Sequence, residues 1–212
     1  MDLTVTDHLL ATTRAVRKRL DFDRPVPREL LLQCIALAQQ APTGSNAQGW
    51  RWLVVTDPEK RKLIGEAYRE GSAAYFADAR KTAPGQDTQQ GRVVSSALYL
   101  ADHMAEVPVH VIPCLPGRPE GLANGHAAGY YGSILPAVWS FMLAARARGL
   151  GTSFTTLHLN REQQVAEALG IPANVTQVAL IPTGYFTGDD FKPAARRPME
   201  EITYWNGWKQ AR

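Results

Sequence analysis

The sequence predicts a single domain over residues 1–212 in which helices and strands alternate, of the α/β or α+β class. Hydrophobic residues make up 45% of the chain and charged residues 20%, a balance typical of a folded globular protein. Apolar residues recur at helical spacing over residues 130–151, whereas residues 50–56 and 108–114 are short runs rich in β-branched side chains. Both kinds of element are therefore expected in one core.

The first half of the chain has clear helix boundaries. An apolar helical pattern begins after Pro27 and ends before Pro42, and residues 50–56 predict a strand. Asp57-Pro58 is a typical helix start, with Asp as the cap, and this helix is expected to run towards Arg80. The composition of the next segment predicts a surface loop over residues 81–91.

The second half continues the alternation. We expect a helix from Arg92 to about Glu106, a strand over residues 108–114, a loop over residues 116–125 and one central buried helix within residues 130–151.

A further helix and strand follow. Asn160 with Gln163 resembles a capping box for a helix that ends at Gly170. Residues 177–184 predict a core strand, and a loop over residues 188–197 leads to a short amphipathic tail.

Composition excludes several classes of protein. The net charge is only +3, without the dense basic stripe of a nucleic-acid-binding surface. No apolar run approaches the roughly 18 residues of a membrane span, and the N-terminus lacks a signal core, so a cytoplasmic protein is expected. Cys34 and Cys114 lie in apolar patterns and are interpreted as buried hydrophobic residues. The five histidines are too scattered to predict a metal site.

Four segments remain as candidates for ligand binding. Arg14 and Arg17, three residues apart, would share a helix face and could grip a phosphate. Residues 41–50 form a loop dense in hydroxyl, amide and glycine residues that could wrap a polar ring. Residues 149–156 lead from a helix end into a strand, and Arg196-Arg197-Pro198 would add charge before a helix start.

The order and spacing of these segments resemble the FMN-dependent nitroreductase family. The similarity covers residues 11–208 and is carried by Pro-Thr-Gly-Ser-Asn-x-Gln-x-Trp, Gly-Leu-Gly-Thr, residues 184–186 and residues 196–202. It implies an α+β fold with a mixed, mostly antiparallel sheet flanked by helices. It also implies an intertwined homodimer, in which a C-terminal segment, about residues 198–212, extends over the partner and is anchored by Tyr204, Trp205 and Trp208.

The resemblance also implies the cofactor site, with two FMN per dimer at the subunit interface. By motif position, the cofactor-binding residues are Arg14, Ala15, Arg17, Thr43, Gly44, Asn46, Thr155, Thr156, Arg196 and Arg197. The loop with Thr43, Gly44 and Asn46 would come from the partner, and Arg17 would stabilise negative charge on reduced flavin. The chain departs from the family pattern at residues 13–15, where an arginine and a serine are absent, and at Gly49, where relatives carry proline.

The resemblance implies an enzyme that passes electrons from NADPH or NADH to nitroaromatic or quinone-like acceptors by a ping-pong mechanism. No protein catalytic residue, metal, nucleic acid or membrane is expected. NADPH is favoured over NADH, with Arg69 or Arg118 as candidate loop arginines for its 2′-phosphate.

Other functions remain open. A reductive dehalogenase of the same fold would place Glu, Tyr and Lys in a lid, and the chain offers those residue types without the matching arrangement at Glu66, Tyr68, Glu70, Tyr75 and Lys81. A non-catalytic flavin-storage protein, a flavin-fragmenting enzyme and a small nucleic-acid-binding domain are the remaining alternatives.

Overall fold

A five-stranded antiparallel sheet forms the centre of the computed structural model, which describes residues 2–82 and 87–210. The strands are β1 (Arg51–Val55), β2 (Val109–Pro116), β3 (Leu150–Thr152), β4 (Val175–Gln177) and β5 (Ile181–Tyr185). Their order is β1-β2-β5-β3, and β4 also pairs with β2. Strands β1 and β3 are therefore the two edges of this path.

Helices cover both faces of the sheet. They are α1 (Leu3–Thr12), α2 (Arg28–Ala38), α3 (Pro58–Thr82), α4 (Gln89–Asp102), α5 (Asn124–Gly132), α6 (Leu135–Arg146) and α7 (Glu162–Leu169). Because the strand pairs are antiparallel, the α+β class implied by the resemblance is confirmed.

The strand β2 shows how one sequence serves two core layers. Val109 and Val111 point into the layer formed with α2 and α6, whereas Ile112 and Cys114 point into the layer formed with α3 and α4. Alternate side chains of a strand face opposite sides of the sheet, so a fully buried central strand reads as continuous apolar sequence. Cys34 and Cys114 are buried and unpaired, which confirms their interpretation as core residues.

The predicted starts of α2 and α3 are confirmed. Pro27 lies at the N-cap of α2. In α3, the Asp57 carboxylate accepts a hydrogen bond of 2.9 Å from the Lys60 backbone N–H, which satisfies one of the free donors of the first turn.

The single helix predicted over residues 130–151 is wrong. Helix α5 begins at Asn124, inside the predicted loop, and ends at Gly132, and α6 begins at Leu135 with Pro136 in its first turn. Proline cannot donate the backbone hydrogen bond that would continue a helix through this point. Ser133 is thereby left at a bend, where it contacts the loop before β1.

Two further predictions fail at element ends. Asn160 does not cap α7, because its side-chain amide donates to the Gly71 carbonyl oxygen at 2.7 Å, and the N-cap position is Arg161. The strand predicted over residues 177–184 is interrupted between β4 and β5, where Leu180 pairs with Thr155 instead.

The loop predicted over residues 81–91 is shorter than expected. Helix α3 continues through Thr82, and α4 begins at Gln89, where the Thr88 hydroxyl accepts from the Gly91 N–H at 3.0 Å. Residues 83–86 of this prediction lie outside the described residues.

Candidate functional site

The segment after α1 runs in extended form along the edge strand β3. Ala15 forms a parallel bridge with Thr152, and the Val16 N–H donates to the Thr152 carbonyl oxygen at 2.8 Å. Because α1 ends at Thr12, the prediction that Arg14 and Arg17 share a helix face is wrong. The two side chains diverge from an extended backbone instead.

A close approach at Gly151 fixes the position of this segment. A Cβ atom built on Gly151 would lie 2.8 Å from the Cγ1 atom of Val16, and Val16 itself is buried. Glycine therefore allows the Val16 side chain to pack directly on the backbone of β3. This packing sets the register of the residues that follow, including Arg17.

Arg17 is a half-buried cation beneath α4. Its guanidinium donates to the Ser96 hydroxyl at 3.3 Å, and no carboxylate forms an ion pair with it among residues 2–82 and 87–210. Burial lowers the pKa of Arg17 from its ordinary value, an effect that Tyr68 and Tyr75 partly offset. An arginine remains charged at neutral pH even so, and its positive charge lacks a counterion within this part of the chain.

Tyr68 connects α3 to the segment that follows β3. Its hydroxyl lies 3.0 Å from the Thr155 hydroxyl oxygen, and its side chain is 3% exposed. Burial raises the pKa of Tyr68, while the Thr155 hydrogen bond and the Arg17 charge act in the opposite direction. Thr155 is itself held by two backbone hydrogen bonds with Leu180, of 3.1 and 2.8 Å.

We call Arg17, Tyr68, Ser96 and Thr155 the Arg17 cluster. The fold thus brings Arg17 and Thr155, two of the predicted cofactor-binding residues, to one place. Ala15 lies on the same edge through its bridge with Thr152, and Thr156 follows as an exposed residue at the start of a 3₁₀ turn.

The loop with Thr43, Gly44 and Asn46 lies on other elements. The Gly44 N–H donates to the Ser133 hydroxyl at 3.1 Å between α5 and α6. Ser45, Asn46 and Gln48 have φ angles of 52°, 50° and 48°, the left-handed region that only a few residue types tolerate well. No hydrogen bond joins this exposed loop to the Arg17 cluster within the described chain.

The other arginines predicted to bind the cofactor also contact groups outside the Arg17 cluster or are exposed. Arg14 is exposed and donates to the Lys192 carbonyl oxygen at 2.8 Å, and Arg196 donates to the carbonyl oxygen of its neighbour Ala195. Arg197 is exposed just before the 3₁₀ turn Met199–Glu201. The helix start expected there is a single short turn.

Residues 196–210 form an exposed segment that we call the C-terminal arm. Its large apolar side chains are mostly open to solvent, with Met199 at 72% and Trp208 at 82% exposure. Patches of this kind mark surfaces that associate with another molecule.

The arginines considered for a nicotinamide 2′-phosphate do not lie as expected. Arg69 lies within α3 and not in a loop. The Arg118 guanidinium is already bound by Glu162, at 2.7 and 3.0 Å, and by Glu120. Neither residue is therefore an arginine that lies in a loop and is free to bind a 2′-phosphate.

Sequence reasoning missed the two helix residues that complete the Arg17 cluster. Tyr68 was considered only as a lid residue, and Ser96 was not singled out. Tyr68 shares the buried face of α3 with Ile64, so the helical spacing already indicated a core position where a phenol hydroxyl needs a partner.

The described residues contain no group of three or more His, Cys, Asp or Glu side chains arranged to hold a metal ion. Across the same residues, every helix is too short or too polar to cross a bilayer.

Comparison with known proteins gives these observations a family context. The family model described as the Nitroreductase family matches residues 10–185. An iodotyrosine deiodinase from Nematostella vectensis is 27% identical over 192 residues, covering 89% of this chain and 70% of the relative. A 4-nitrobenzoate reductase from Nocardioides sp. is 28% identical over 210 residues, covering 84% of this chain and 79% of the relative.

Solved structures show the same fold. The FMN- and NADPH-dependent nitroreductase NfnB from Sphigopyxis sp. strain HMH superposes with a TM-score of 0.67 at 20% identity, over 95% of this chain and 99% of its own. The sequence match and the shared architecture agree over nearly the whole chain, and the chain therefore belongs to the nitroreductase family.

Proposed function

We propose that the chain is an FMN-dependent oxidoreductase that passes electrons from NAD(P)H to nitroaromatic or quinone-like acceptors in a ping-pong cycle. The observation that carries this proposal is the half-buried Arg17 guanidinium, which has no carboxylate partner in the described chain and lies in one cluster with Thr155. An uncompensated buried cation is costly unless an anion joins it.

The residues of the Arg17 cluster fit FMN. The cofactor carries a phosphate and a polar pyrimidine edge that becomes more negative on reduction, and the cluster offers a cation, three hydroxyl groups and an extended backbone beside them. A carboxylate in this position would oppose that chemistry, and none pairs with Arg17 among the described residues.

When bound, FMN supplies a ring that accepts a hydride and passes two electrons on. The chain itself would bind and orient the ring. Arg17 would stabilise negative charge at the pyrimidine edge, and the Val16–Gly151 packing would hold Arg17 in place. Thr155 would present its hydroxyl to the ring from the segment after β3.

A second copy of the chain would complete this site. The Thr43–Asn46 loop and the C-terminal arm are exposed in one chain and make no hydrogen bond to the Arg17 cluster among the described residues. We infer a homodimer in which the single domain of residues 1–212 extends its C-terminal segment, about residues 198–212, over the partner. Arg196 and Arg197 would then meet the phosphate, together with Arg14.

The relatives support this choice of chemistry. One of them is a 4-nitrobenzoate reductase, and a protein of the same fold uses FMN and NADPH. NADPH is therefore the first electron donor to test, with NADH as the alternative.

The first experiment is the visible spectrum of the purified protein, followed by anaerobic addition of NADPH and then NADH. Flavin absorbance that bleaches with either nucleotide and returns on addition of a nitroarene or quinone is the expected result. A colourless protein that does not bind added FMN would contradict the proposal. A flavin that binds but never bleaches with either nucleotide would indicate a storage protein.

Arg17→Ala tests the site itself. We expect FMN to bind about tenfold to a hundredfold more weakly, because a charge-assisted interaction is lost, and flavin reduction to slow. The measurements are FMN fluorescence quenching and stopped-flow absorbance. Lys18→Ala is the matched control, because Lys18 also bonds an α4 hydroxyl, Ser95 at 2.9 Å, but is exposed. Equal effects of the two substitutions would remove Arg17 from the site.

A reductive dehalogenase is the second candidate, because iodotyrosine deiodinases are among the relatives. The structure does not favour two of the lid residues considered for it. Tyr68 is buried against Thr155, and Glu70 forms an ion pair of 3.3 Å with Arg161. Of the other three, Glu66 is half-buried, and Tyr75 and Lys81 are exposed in the second half of α3. Release of iodide from 3-iodotyrosine by the reduced protein, faster than reoxidation by a nitroarene, would favour this candidate.

A further inference from the structure

Tyr68 and Thr155 are held by elements that cannot easily move apart. In α3, a Cβ atom on Gly71 would lie 2.5 Å from the Leu157 carbonyl oxygen, and the Asn160 amide donates to the Gly71 carbonyl oxygen at 2.7 Å. The backbone of Thr155 is fixed by its two hydrogen bonds with Leu180. The packing of the two elements therefore holds the Tyr68 and Thr155 hydroxyl groups 3.0 Å apart.

The direction of this hydrogen bond follows from burial and from the acidity of the two hydroxyl groups. Each hydroxyl has one hydrogen to donate and two lone pairs to accept. Tyr68 is 3% exposed as a residue, and Thr155 is the hydrogen-bond partner of its hydroxyl in the described part of the chain. Leaving the phenol hydrogen unbonded in this largely buried place would carry a desolvation cost. Either hydroxyl could donate across the 3.0 Å contact, but a phenol is more acidic than an aliphatic alcohol, so we infer that Tyr68 donates and Thr155 accepts.

The consequence concerns the hydrogen of Thr155. Since Thr155 accepts from Tyr68, its own hydroxyl hydrogen is available to a second acceptor. A hydroxyl that accepts one hydrogen bond becomes a stronger donor in the next. The positive charge of Arg17 lies close enough to lower the pKa of the Tyr68 phenol, against the effect of burial.

We propose that Tyr68 is a positioning residue that acts through Thr155: it orients and polarises the Thr155 hydroxyl so that this group donates to bound flavin and favours the reduced over the oxidised cofactor. This inference rests on the proposed function, since it takes Thr155 as a flavin contact. Tyr68 itself does not touch the cofactor.

The test uses the full-length FMN-loaded protein and two readouts besides turnover. One is the dissociation constant of oxidised FMN from fluorescence quenching, and the other is the midpoint potential of the bound flavin. We expect Tyr68→Phe to weaken binding of reduced FMN about tenfold more than binding of oxidised FMN. That ratio corresponds to a midpoint potential about 30 mV lower for a two-electron couple.

Companion variants separate positioning from packing. Thr155→Val removes the hydroxyl at constant shape, and Thr155→Ser retains it. If Tyr68 acts through Thr155, the double variant with Tyr68→Phe and Thr155→Val shows no larger shift in potential than Thr155→Val alone. The Tyr68→Phe effect persists in the Thr155→Ser background. Tyr185→Phe is the control, because Tyr185 packs in the opposite core layer and should leave the potential unchanged.

The outcomes distinguish the two proposals. No change in FMN affinity or potential with Thr155→Val would overturn the placement of FMN at the Arg17 cluster. A shift with Thr155→Val but none with Tyr68→Phe would overturn the role of Tyr68 alone, as would fully additive shifts in the double variant. Circular dichroism checks folding, and if Tyr68→Phe does not fold, Tyr68→Met, a flexible apolar side chain without a donor that adapts to the space of the ring, replaces it.

Discussion

The Arg17 cluster and the C-terminal arm are two parts of the same proposed site, yet they are built in opposite ways. The cluster lies between α3, α4 and the segment after β3, and its members are buried or half-buried. Most residues of the arm are exposed, and Trp208 is 82% exposed. One region is formed by the folding of a single chain, and the other presents apolar side chains to solvent, where we propose that a second copy binds.

This difference has a practical meaning. Substitutions that disturb the support of the cluster should lower the stability of each chain. Substitutions in the arm should weaken assembly and leave the single chain intact. The following experiments test whether the two regions separate in this way.

The largest effect is expected for Gly71→Ala. Because the new Cβ atom would lie 2.5 Å from the Leu157 carbonyl oxygen, α3 must shift away from the turn that follows Thr155. We expect the free energy of unfolding to fall by about 3 kcal/mol and FMN affinity to fall with it, as measured by urea unfolding and fluorescence quenching.

Gly129→Ala is the matched control for that substitution. Gly129 also lies inside a helix, but no heavy atom lies within 4 Å of the added Cβ. Alanine there should be neutral or slightly stabilising, since glycine is a poor helix former. Equal losses of stability in the two variants would show that the close packing of α3 at Gly71 is not the cause of the loss.

An effect of intermediate size is expected from acid. Burial, and secondarily repulsion from His110, lowers the pKa of His158 to about 3, and burial lowers that of His110 to about 4. The unfolded chain takes up protons near the ordinary value of about 6.5 and the folded chain does not. Each histidine should therefore lower the free energy of unfolding by about 2 kcal/mol between about pH 7 and pH 5.

Urea unfolding at both pH values measures this effect in the wild type and in His158→Leu. On acidification the free energy of unfolding of the variant should fall by about 2 kcal/mol less than that of the wild type, the contribution expected of one histidine. Arg61, which also disfavours protonation of His110, is retained in both proteins. His8→Ala is the control, because His8 is exposed and pairs with Asp190 at 2.7 Å, and it should not reduce the loss. An unchanged pH dependence in His158→Leu would contradict the prediction.

The smallest effect on the stability of the single chain is expected for Trp208→Ala. This substitution tests whether the C-terminal arm joins two copies. We expect the dimer dissociation constant to rise about tenfold, in line with the loss of an interface aromatic. The stability of the separate chain should change by less than about 0.5 kcal/mol. Sedimentation velocity over a dilution series measures the first quantity, and urea unfolding at low concentration the second.

Leu63→Ala is the control for the arm. Leu63 is an exposed apolar residue of α3, at 44% exposure, and its truncation should leave assembly unchanged. A dimer equally weakened by both substitutions, or by neither, would show that the arm is not the surface that joins two copies.

The parts of the fold that the sequence predicts are those that depend on local chemistry. Pro27 and Asp57 mark helix starts because caps act within one turn, and the alternating burial of β2 follows from the strand period. The division between α5 and α6 is also local in origin, through Pro136, but a continuous apolar pattern obscures it.

The parts that could not be predicted depend on residues distant in sequence. Asn160 has the form of a cap, but Gly71 offers it a carbonyl oxygen at 2.7 Å from another element. The prediction that Arg14 and Arg17 share a helix face fails because β3 provides an edge to pair with, and Tyr68 acquires its role only when α3 meets Thr155. The resemblance to the nitroreductase family named Arg17 and Thr155, whereas the groups that hold them depend on tertiary contacts.

The extended segment around Val16 has a consequence for solubility. Strand β3 ends the sheet, and an uncovered edge presents free N–H and C=O groups on which another chain can add a strand. Ala15 and Val16 occupy that edge with a parallel bridge and a hydrogen bond, so the residues that deliver Arg17 also shield the sheet from intermolecular pairing. A chain that lost this segment would lose its cation and, at the same step, expose a template for aggregation.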